Sequence, residues 1–430
     1  MVTVTLPILG MIILLALGMP VGLALGVAGS AGLFLVGGWD TLLGIVSTTP
    51  YRSVASVTMA TIPLFIFMAE LVSSGGLARS LFDACTRFTG RLPGGVAIAT
   101  VLANAGFGAM SGSSLAAAGA MSSVAMPELR RSGYSPSIAS GVIAVAGTLA
   151  IMIPPSIPLV IYGITTETSI GQLLIAGIVP SLLTALVYSI GIIVWGRILP
   201  GTVPKGKAYS WKEKLLSLRD LWGFLIIVGF IFFTLYGGVA TPSEVAAIGA
   251  TITLIFLLVT RQIGIKGIVE ALVRTLKASA MIFLIIVGAM IFGYYLTVSQ
   301  VAQGLIAFIS QSSVPSWGVM FFLVILYLIL GCLLDQVAIL LITLPLTFPL
   351  VTSLGYDPIW FGIIVTKLAE IGLITPPVGM NCYVVSGATG VPLEDVFRGS
   401  GMMLAFEAIT LALLLFFPVI STWLPSTMFK

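Results

Sequence analysis

A pair of adjacent prolines interrupts two long apolar segments of this chain, at 154–155 and at 376–377. Because proline has no backbone N–H and clashes with the preceding helical turn, two in succession end a helix and leave carbonyl groups unpaired. An offset of 222 residues (376 − 154) aligns six Pro, Gly and Tyr residues of the two segments without a gap: Pro127, Gly133, Tyr134, Pro136, Pro154 and Pro155 match Pro349, Gly355, Tyr356, Pro358, Pro376 and Pro377. The sequence therefore predicts two related units, each with one broken helix.

A broken helix in an apolar segment indicates a binding site. Carbonyl groups without partners survive in a membrane only where they are buried in protein or line a wet cavity. Transporters built from repeated halves use such interruptions to bind substrates and ions near the middle of the membrane. A proline kink without a ligand is the alternative for a single site, but two sites in register favour binding.

Composition assigns the chain to the polytopic all-α membrane proteins. Hydrophobic residues make up 58% of it and charged residues only 8%, with a mean hydropathy of +1.18, which excludes an ordinary soluble domain. The apolar start lacks a basic region and a convincing cleavage site, so we expect a retained first span. Ten transmembrane helices are predicted, near 2–17, 20–37, 56–74, 137–164, 173–198, 220–236, 241–260, 280–298, 358–386 and 399–424.

Basic residues predict the orientation in the phospholipid bilayer. Three basic blocks should face the cytoplasm by the positive-inside rule. No Lys or Arg occurs between Lys277 and Lys367, so the loops in that interval should face outside. The net charge of +4 reflects this orientation and does not indicate nucleic-acid binding. The blocks are Arg79, Arg87, Arg91, Arg130 and Arg131; Arg197, Lys205, Lys207, Lys212, Lys214 and Arg219; and Arg261, Lys266, Arg274 and Lys277.

Residues 94–126 and 316–351 are too long for one span and too short for two. Each predicts a re-entrant hairpin, and the two open toward opposite sides of the membrane. Equivalent elements with opposite orientation define an inverted repeat. We expect the first repeat at 1–215, with the broken helix 137–164, and the second at 216–430, with the broken helix 358–386.

Two amphipathic stretches, at 80–91 and 261–279, precede matching parts of the two halves. Their polar residues recur at helical spacing, which predicts helices lying along the membrane interface; plain cytoplasmic loops are the alternative.

No residue pattern indicates an enzyme. The chain has no histidine, which excludes histidine bases and ligands, and its three cysteines are too scattered for a zinc or iron–sulfur site. We interpret Cys85, Cys332 and Cys382 as packing residues. No cofactor is expected. A channel is also disfavoured, because a static pore does not need two opposed hairpins.

The first hairpin tip is rich in small polar residues. Gly106, Gly108 and Gly112 permit tight turns, and Ser111, Ser113 and Ser114 offer hydroxyl groups where the helix is interrupted. Hydroxyl and carbonyl oxygens suit a small cation, and the helix N-terminus after the tip suits a carboxylate. Packing of small residues between helices is the alternative interpretation.

The second tip carries Asp335 within an apolar run, at the position that the offset pairs with Ser113. Intramembrane carboxylates are costly and indicate function by default. Asp335 could bind a cation or accept hydrogen bonds from substrate hydroxyl or amine groups; a purely structural helix cap is the alternative.

Further polar candidates lie on the broken segments and in other spans. The broken segments offer Gly147, Thr148, Ser156, Gly372 and Thr375. Lys367 and Glu370 are one helical turn apart and could simply pair with each other. The weaker candidates are Gln336, Lys367, Glu370, Asn381, Glu70 and Glu407.

Three motifs resemble the large membrane subunit of tripartite ATP-independent periplasmic (TRAP) transporters: GAMSGSSLAAAGAM at 108–121, IPPSIPLVIYG at 153–163 and GLITPPVGMNCYV at 372–384. The order of the spans matches throughout, so the resemblance covers nearly the whole chain. It implies an elevator-type transporter of the bacterial inner membrane, in which a transport domain with both hairpins and both broken helices moves against a scaffold.

The resemblance also implies site residues. One sodium site would involve Ser111, Ser113 and Ser114 with the backbone of 147–154, which includes Gly147, Thr148 and Pro154. The other would involve Gly331, Gly372, Thr375 and Val378. Substrate would lie between Ser113 or Ser114, Ser156 and Asp335.

The implied function is sodium-driven uptake of an organic acid. The implied partners are a small four-helix membrane subunit, expected as a separate polypeptide, and a periplasmic binding protein that delivers the substrate. Family members carry C4-dicarboxylates, sialic acids and other carboxylates, and the overall likeness leans toward the sialic acid type. Alternatives are a self-sufficient sodium/carboxylate symporter and an intramembrane enzyme.

Overall fold

The protein is described here by a computed structural model that covers residues 2–199, 201–204, 206–312 and 314–428. Regular secondary structure in these ranges is entirely helical. The helices up to residue 198 are α1 (Val2–Ala16), α2 (Val21–Val46), α3 (Thr49–Val54), α4 (Thr61–Ser74), α5 (Leu77–Thr89), α6 (Gly95–Ser111), α7 (Ser114–Arg131), α8 (Pro136–Thr148), α9 (Ile157–Thr166), α10 (Ile170–Ala176) and α11 (Ile178–Ile198). The later helices are α12 (Trp211–Arg219), α13 (Trp222–Tyr236), α14 (Pro242–Val259), α15 (Ile265–Val298), α16 (Val301–Gln311), α17 (Ser316–Gly331), α18 (Gln336–Ser353), α19 (Pro358–Gly372), α20 (Met380–Thr389), α21 (Leu393–Phe416) and α22 (Val419–Thr422).

Within the described ranges, seven helical segments are long and apolar enough to cross a membrane, compared with the ten predicted. Six of them coincide with predicted spans, and the seventh, Gln336–Ser353, is the second arm of the predicted hairpin 316–351. An eighth is obtained if α12 and α13, bent by 65° at their junction, are taken as one span. The predicted spans 137–164 and 358–386 are each split into two shorter helices, and α1 is too short. The seven are Val21–Val46, Val57–Ser74, Ile170–Ile198, Pro242–Val259, Ile265–Val298, Gln336–Ser353 and Leu393–Phe416.

Two helical hairpins occupy the two segments that the sequence singled out. In the first, α6 and α7 are joined only by Gly112 and Ser113, and Gly112 takes a left-handed conformation with φ of 58° that favours glycine. In the second, α17 and α18 are joined by the short turn 332–335. Both second arms start at a polar N-cap residue, Ser113 or Asp335.

Both proline pairs interrupt helices as predicted. The first broken helix stops at Ile151, after one 3-10 turn, and resumes at Ile157. The second stops at Gly372 and resumes at Met380. The peptide bonds 154–155 and 376–377 are both cis.

Helix α15 runs without a break for 34 residues from Ile265 to Val298. The prediction of a separate interfacial helix at 261–279 is therefore wrong, because most of these residues belong to the same helix as the apolar span. Helix α2 packs closely against α15, since a Cβ on Gly22 or Gly29 would lie within 2.7 Å of the α15 backbone. The absence of side chains at these positions is what permits the close approach.

The hairpins and broken helices of the two halves pack against each other. Helix α7 of the first hairpin contacts α20, and α18 of the second hairpin contacts α9. At the second contact, Tyr162 packs edge-on against Phe348 and donates a hydrogen bond to the Pro358 carbonyl at 2.7 Å. Through these contacts between the two halves, both hairpin tips lie close together.

Candidate functional site

A cavity of about 330 Å³ lies where the two hairpin tips meet. We call it the tip cavity. Ser113 lines it from the first tip and Asp335 from the second, while α4 and α15 form the opposite wall. Its volume lies at the lower end of the range usual for small-molecule sites. The lining residues are Ile66, Ala69, Glu70, Gly112, Ser113, Leu115, Ala116, Ile157, Ala278, Met281, Ile282, Ile285, Asp335, Gln336, Val337, Leu373 and Met380.

The first tip is pressed against the first broken helix. A Cβ on Gly112 would lie 1.9 Å from the Pro155 carbonyl oxygen, so only glycine fits there. Ser113 caps α7 by accepting a hydrogen bond from the Ala116 N–H at 3.3 Å. The hydroxyl groups of Ser111 and Ser114 are buried and have no hydrogen-bond partner. Buried polar groups without partners are rare, and each calls for an explanation such as a bound ion.

The second tip contacts the second broken helix in the same way. A Cβ on Gly372 would lie 2.3 Å from the Gly331 backbone, and the Val378 N–H donates to the Cys332 carbonyl at 3.2 Å. The Thr375 hydroxyl donates to the Ile371 carbonyl at 2.6 Å. The predicted residues Gly331, Gly372, Thr375 and Val378 therefore lie around one tip.

Asp335 and Gln336 supply polar atoms to the tip cavity. One carboxylate oxygen of Asp335 accepts hydrogen bonds from the N–H groups of Val337 and Ala338, at 2.8 and 3.1 Å. The other oxygen takes no part in this cap. The side-chain oxygen of Gln336 is buried without a partner. Both side chains can therefore accept hydrogen bonds from a ligand.

The described lining of the tip cavity contains two carboxylates and no lysine or arginine. Glu70 is neutralised by Arg274, whose Nε lies 2.6 Å from its carboxylate, and Arg274 also donates to the Ser74 hydroxyl. The N-termini of α7, α9, α18 and α20 all lie at the cavity, and such ends carry a partial positive charge, which at α18 is offset by the Asp335 carboxylate.

Several predicted residues lie behind the tips and do not line the cavity. Ser114 and Ser156 are fully buried, and Ser156 caps α9 through the Leu159 N–H at 3.3 Å. Gly147 packs against Ala118, so that a Cβ there would be 3.0 Å away. Pro154 lies in the break between the two halves of the first broken helix. Thr148 donates to the Val145 carbonyl at 2.8 Å.

The weak candidates Lys367, Glu370 and Glu407 form a buried ion cluster away from the cavity lining. The Lys367 ammonium lies 3.1 Å from Glu370 and 2.6 Å from Glu407, and all three side chains are fully buried. Glu407 also accepts hydrogen bonds from the hydroxyl groups of Tyr188 and, at 3.4 Å, Thr148. The cluster thus ties α19 to α21, α11 and α8.

Asn381 and the cysteines have packing contacts. The Asn381 amide donates to the Ala144 carbonyl at 3.1 Å, which joins the two halves. Cys382 is buried and close to the Ser400 hydroxyl, while Cys85 and Cys332 are partly buried.

The apolar wall of the tip cavity could not be predicted from the sequence. Ile66, Ala69, Ala278, Met281 and Ile282 belong to spans whose apolar residues look alike whether they face lipid or a ligand. No signal in a single sequence distinguishes the two environments.

Residues 8–420 match the family described as "Tripartite ATP-independent periplasmic transporter, DctM component". A C4-dicarboxylate TRAP transporter large permease protein, DctM, from Pseudomonas aeruginosa is 38% identical over 371 residues, covering 86% of each chain. The sialic acid TRAP transporter large permease protein SiaM from Vibrio cholerae is 30% identical over 420 residues, covering 97% of each chain.

An ectoine/5-hydroxyectoine TRAP transporter large permease protein from Ruegeria pomeroyi is 31% identical and covers 98% of each chain. These names span several substrates, so they do not single out the sialic acid type toward which the overall likeness leans.

Among solved structures, the YdaH transporter of Alcanivorax borkumensis has a similar fold. The TM-score is 0.60 at 16% identity, over 90% of this chain and 88% of that one. Such low identity shows the fold alone. Together with the family match, these findings identify the chain as a member of the DctM family, a multi-pass large permease of TRAP transporters in the bacterial inner membrane, and a transporter component, not an enzyme.

Proposed function

We propose that this permease carries out sodium-coupled uptake of an organic acid as part of a tripartite transporter. Its partners in the proposal are a small four-helix membrane subunit and a periplasmic binding protein that delivers the substrate. The tip cavity carries the proposal, because it joins both hairpin tips and both broken helices in one small cavity that holds the polar side chains of Ser113, Asp335 and Gln336.

Sodium coupling is supported by the hydroxyl groups of Ser111 and Ser114, which are buried at the first tip without partners. They are hard oxygen ligands beside the interrupted backbone at Pro155, and such ligands suit a small cation. The second proposed sodium site lies around Gly331, Gly372, Thr375 and Val378, where the turn after α17 meets the break after α19.

An organic acid substrate is supported by the helix N-termini around the tip cavity. Their N–H groups favour a carboxylate, while Asp335 and Gln336 can accept hydrogen bonds from its hydroxyl, amide or amine groups. Ser113 lines the same cavity, and Ser114 and Ser156 stand directly behind it. The proposed substrate is a sialic acid or a C4-dicarboxylate, the two classes named for several of the relatives.

The proposed transport cycle uses an inverted repeat, 1–215 and 216–430, with ten membrane crossings and two re-entrant hairpins. Each broken helix crosses in two pieces, which accounts for the shorter helices in those segments. The hairpins and broken helices form the transport domain, which moves like an elevator against a scaffold that includes α2 and α15. The mutual packing of α7 with α20 and of α18 with α9 supports their movement as one body.

Uptake into proteoliposomes tests the proposal. The chain is reconstituted with its small subunit, and radiolabelled succinate or N-acetylneuraminate is supplied with candidate binding proteins in the presence or absence of a sodium gradient. We expect uptake only with sodium, the small subunit and the matching binding protein. Uptake by the chain alone would instead favour the self-sufficient symporter, and equal uptake without sodium would exclude sodium coupling.

A further inference from the structure

A second cavity, of about 430 Å³, lies beside the tip cavity along the same helices. On α15 the tip cavity is lined by residues from Ala278 to Ile285 and the second cavity by residues from Ile286 to Thr297. On α9 the lining passes likewise from Ile157 to Ile161, and on α18 from Val337 to Leu341. The two cavities are therefore stacked along one axis.

The second cavity contains the cation that the tip cavity lacks. Arg52 lines it, is exposed, and forms no ion pair with another described residue. Beside it the Ser53 side chain is 6% exposed, and its hydroxyl has no hydrogen-bond partner. Glu167 lines the same cavity as an acceptor. An unpaired guanidinium beside an unsatisfied hydroxyl is suited to a carboxylate.

We propose that the second cavity is a receiving site for the organic acid, in which Arg52 binds the carboxylate and Ser53 donates a hydrogen bond to it. Glu167 accepts a hydrogen bond from a hydroxyl, amide or ammonium group of the same molecule. The proposal rests on the proposed transport of an organic acid. The basic blocks place the start of α15 in the cytoplasm, so the second cavity faces the side from which a binding protein delivers.

Thiol labelling tests the receiving site without relying on transport. Cys85, Cys332 and Cys382 are replaced by alanine, and Thr297→Cys places one thiol on the cavity wall in the full chain with its small subunit. Labelling rates are measured with an anionic and a cationic methanethiosulfonate. Removing one positive charge should slow labelling by the anionic reagent and speed labelling by the cationic one. We therefore expect Arg52→Gln to lower the ratio of the anionic to the cationic labelling rate about tenfold. Arg52→Lys should keep the ratio.

The matched control is Arg398→Gln, which removes an arginine that pairs with Glu394 outside both cavities and should leave the ratio unchanged. Succinate, N-acetylneuraminate and ectoine serve as probes. At least one of these compounds should slow labelling of Thr297→Cys when Arg52 is present and should not slow it in Arg52→Gln.

Three results would each contradict the proposed receiving site. They are an unchanged ratio of the two labelling rates in Arg52→Gln, labelling that none of the three compounds slows, and protection from labelling that persists in Arg52→Gln. Failure of sodium-dependent uptake with all partners present would contradict the proposed function, whereas the labelling ratio would still report on the cavity.

Discussion

Asp335 is a helix cap and a cavity residue at once. The first role needs an oxygen that accepts hydrogen bonds from α18, and the second uses the negative charge that faces the cavity. Substitution by asparagine keeps an oxygen for the cap and removes the charge. The two roles can therefore be separated.

We expect Asp335→Asn to lower uptake at least about tenfold, because a substrate hydrogen bond to a charged group contributes about 1.5 to 3 kcal/mol. Stability should change little, because asparagine keeps an oxygen for the cap. Asp335→Ala and Ser113→Ala should each abolish uptake and leave membrane insertion intact. Asp357→Asn is the matched control, because Asp357 caps α19 with similar contacts of 2.8 and 2.9 Å away from the tip cavity. Wild-type uptake by an Asp335 or Ser113 variant would remove that residue from the site.

The unsatisfied hydroxyl of Ser114 gives a second test at single residues. If it binds sodium, Ser114→Ala should raise the half-saturating sodium concentration about tenfold, through loss of about 1.4 kcal/mol from a single ligand. Ser122→Ala is the control, because the Ser122 hydroxyl is buried on the same helix but already donates to the Ala118 carbonyl at 2.7 Å. Equal sodium dependence of the two variants would exclude Ser114 as a ligand.

Ser113 and Asp335 could be predicted from the sequence as candidate site residues, because a polar residue at a turn between apolar segments is conspicuous in a single sequence. It could not indicate that Arg274 neutralises Glu70, since these residues are 204 positions apart and the pairing depends on the packing of α4 against α15.

Between helices, the ion cluster of Lys367, Glu370 and Glu407 gives a test of packing. Lys367→Met leaves two carboxylates buried without a cation, and breaking a buried pair costs about 3 to 5 kcal/mol. We therefore expect a large loss of thermal stability in detergent. The triple variant Lys367→Met, Glu370→Gln, Glu407→Gln should recover much of it, because no charge is then left unpaired.

Exposed ion pairs provide the comparison for the cluster. Arg398→Met breaks the ion pair with Glu394, in which the Arg398 side chain is 67% exposed and the Glu394 side chain 77% exposed. This substitution should change stability little. If Lys367→Met were equally mild, the cluster would not hold α19 to α21.

At the level of helices, the proline pairs correctly predicted both breaks, because the missing N–H acts locally. The boundary near residue 280 was predicted wrongly. Composition changes there from amphipathic to apolar, but nothing in the backbone ends a helix, and α15 continues. Hydropathy also cannot reveal that α7 meets α20, which depends on contacts distant in sequence.

For the whole molecule, the proposed inverted repeat predicts opposite sidedness for positions 222 residues apart. Ser132→Cys follows the first hairpin and Leu354→Cys follows the second. In a chain without native cysteines, a membrane-impermeant thiol reagent should reach Leu354→Cys from outside intact cells and Ser132→Cys only after the membrane is opened. Labelling of both from one side would exclude the inverted arrangement.

The unbroken helix α15 forms a wall of both cavities and is held against α2 by glycine contacts. Because α15 has no break, we propose that the two cavities open in turn through displacement of the opposite wall along α15 and not through bending of α15. The cavity linings are centred about ten residues apart on α15, so at a rise of 1.5 Å per residue the proposed movement from one cavity to the other would cover about 15 Å.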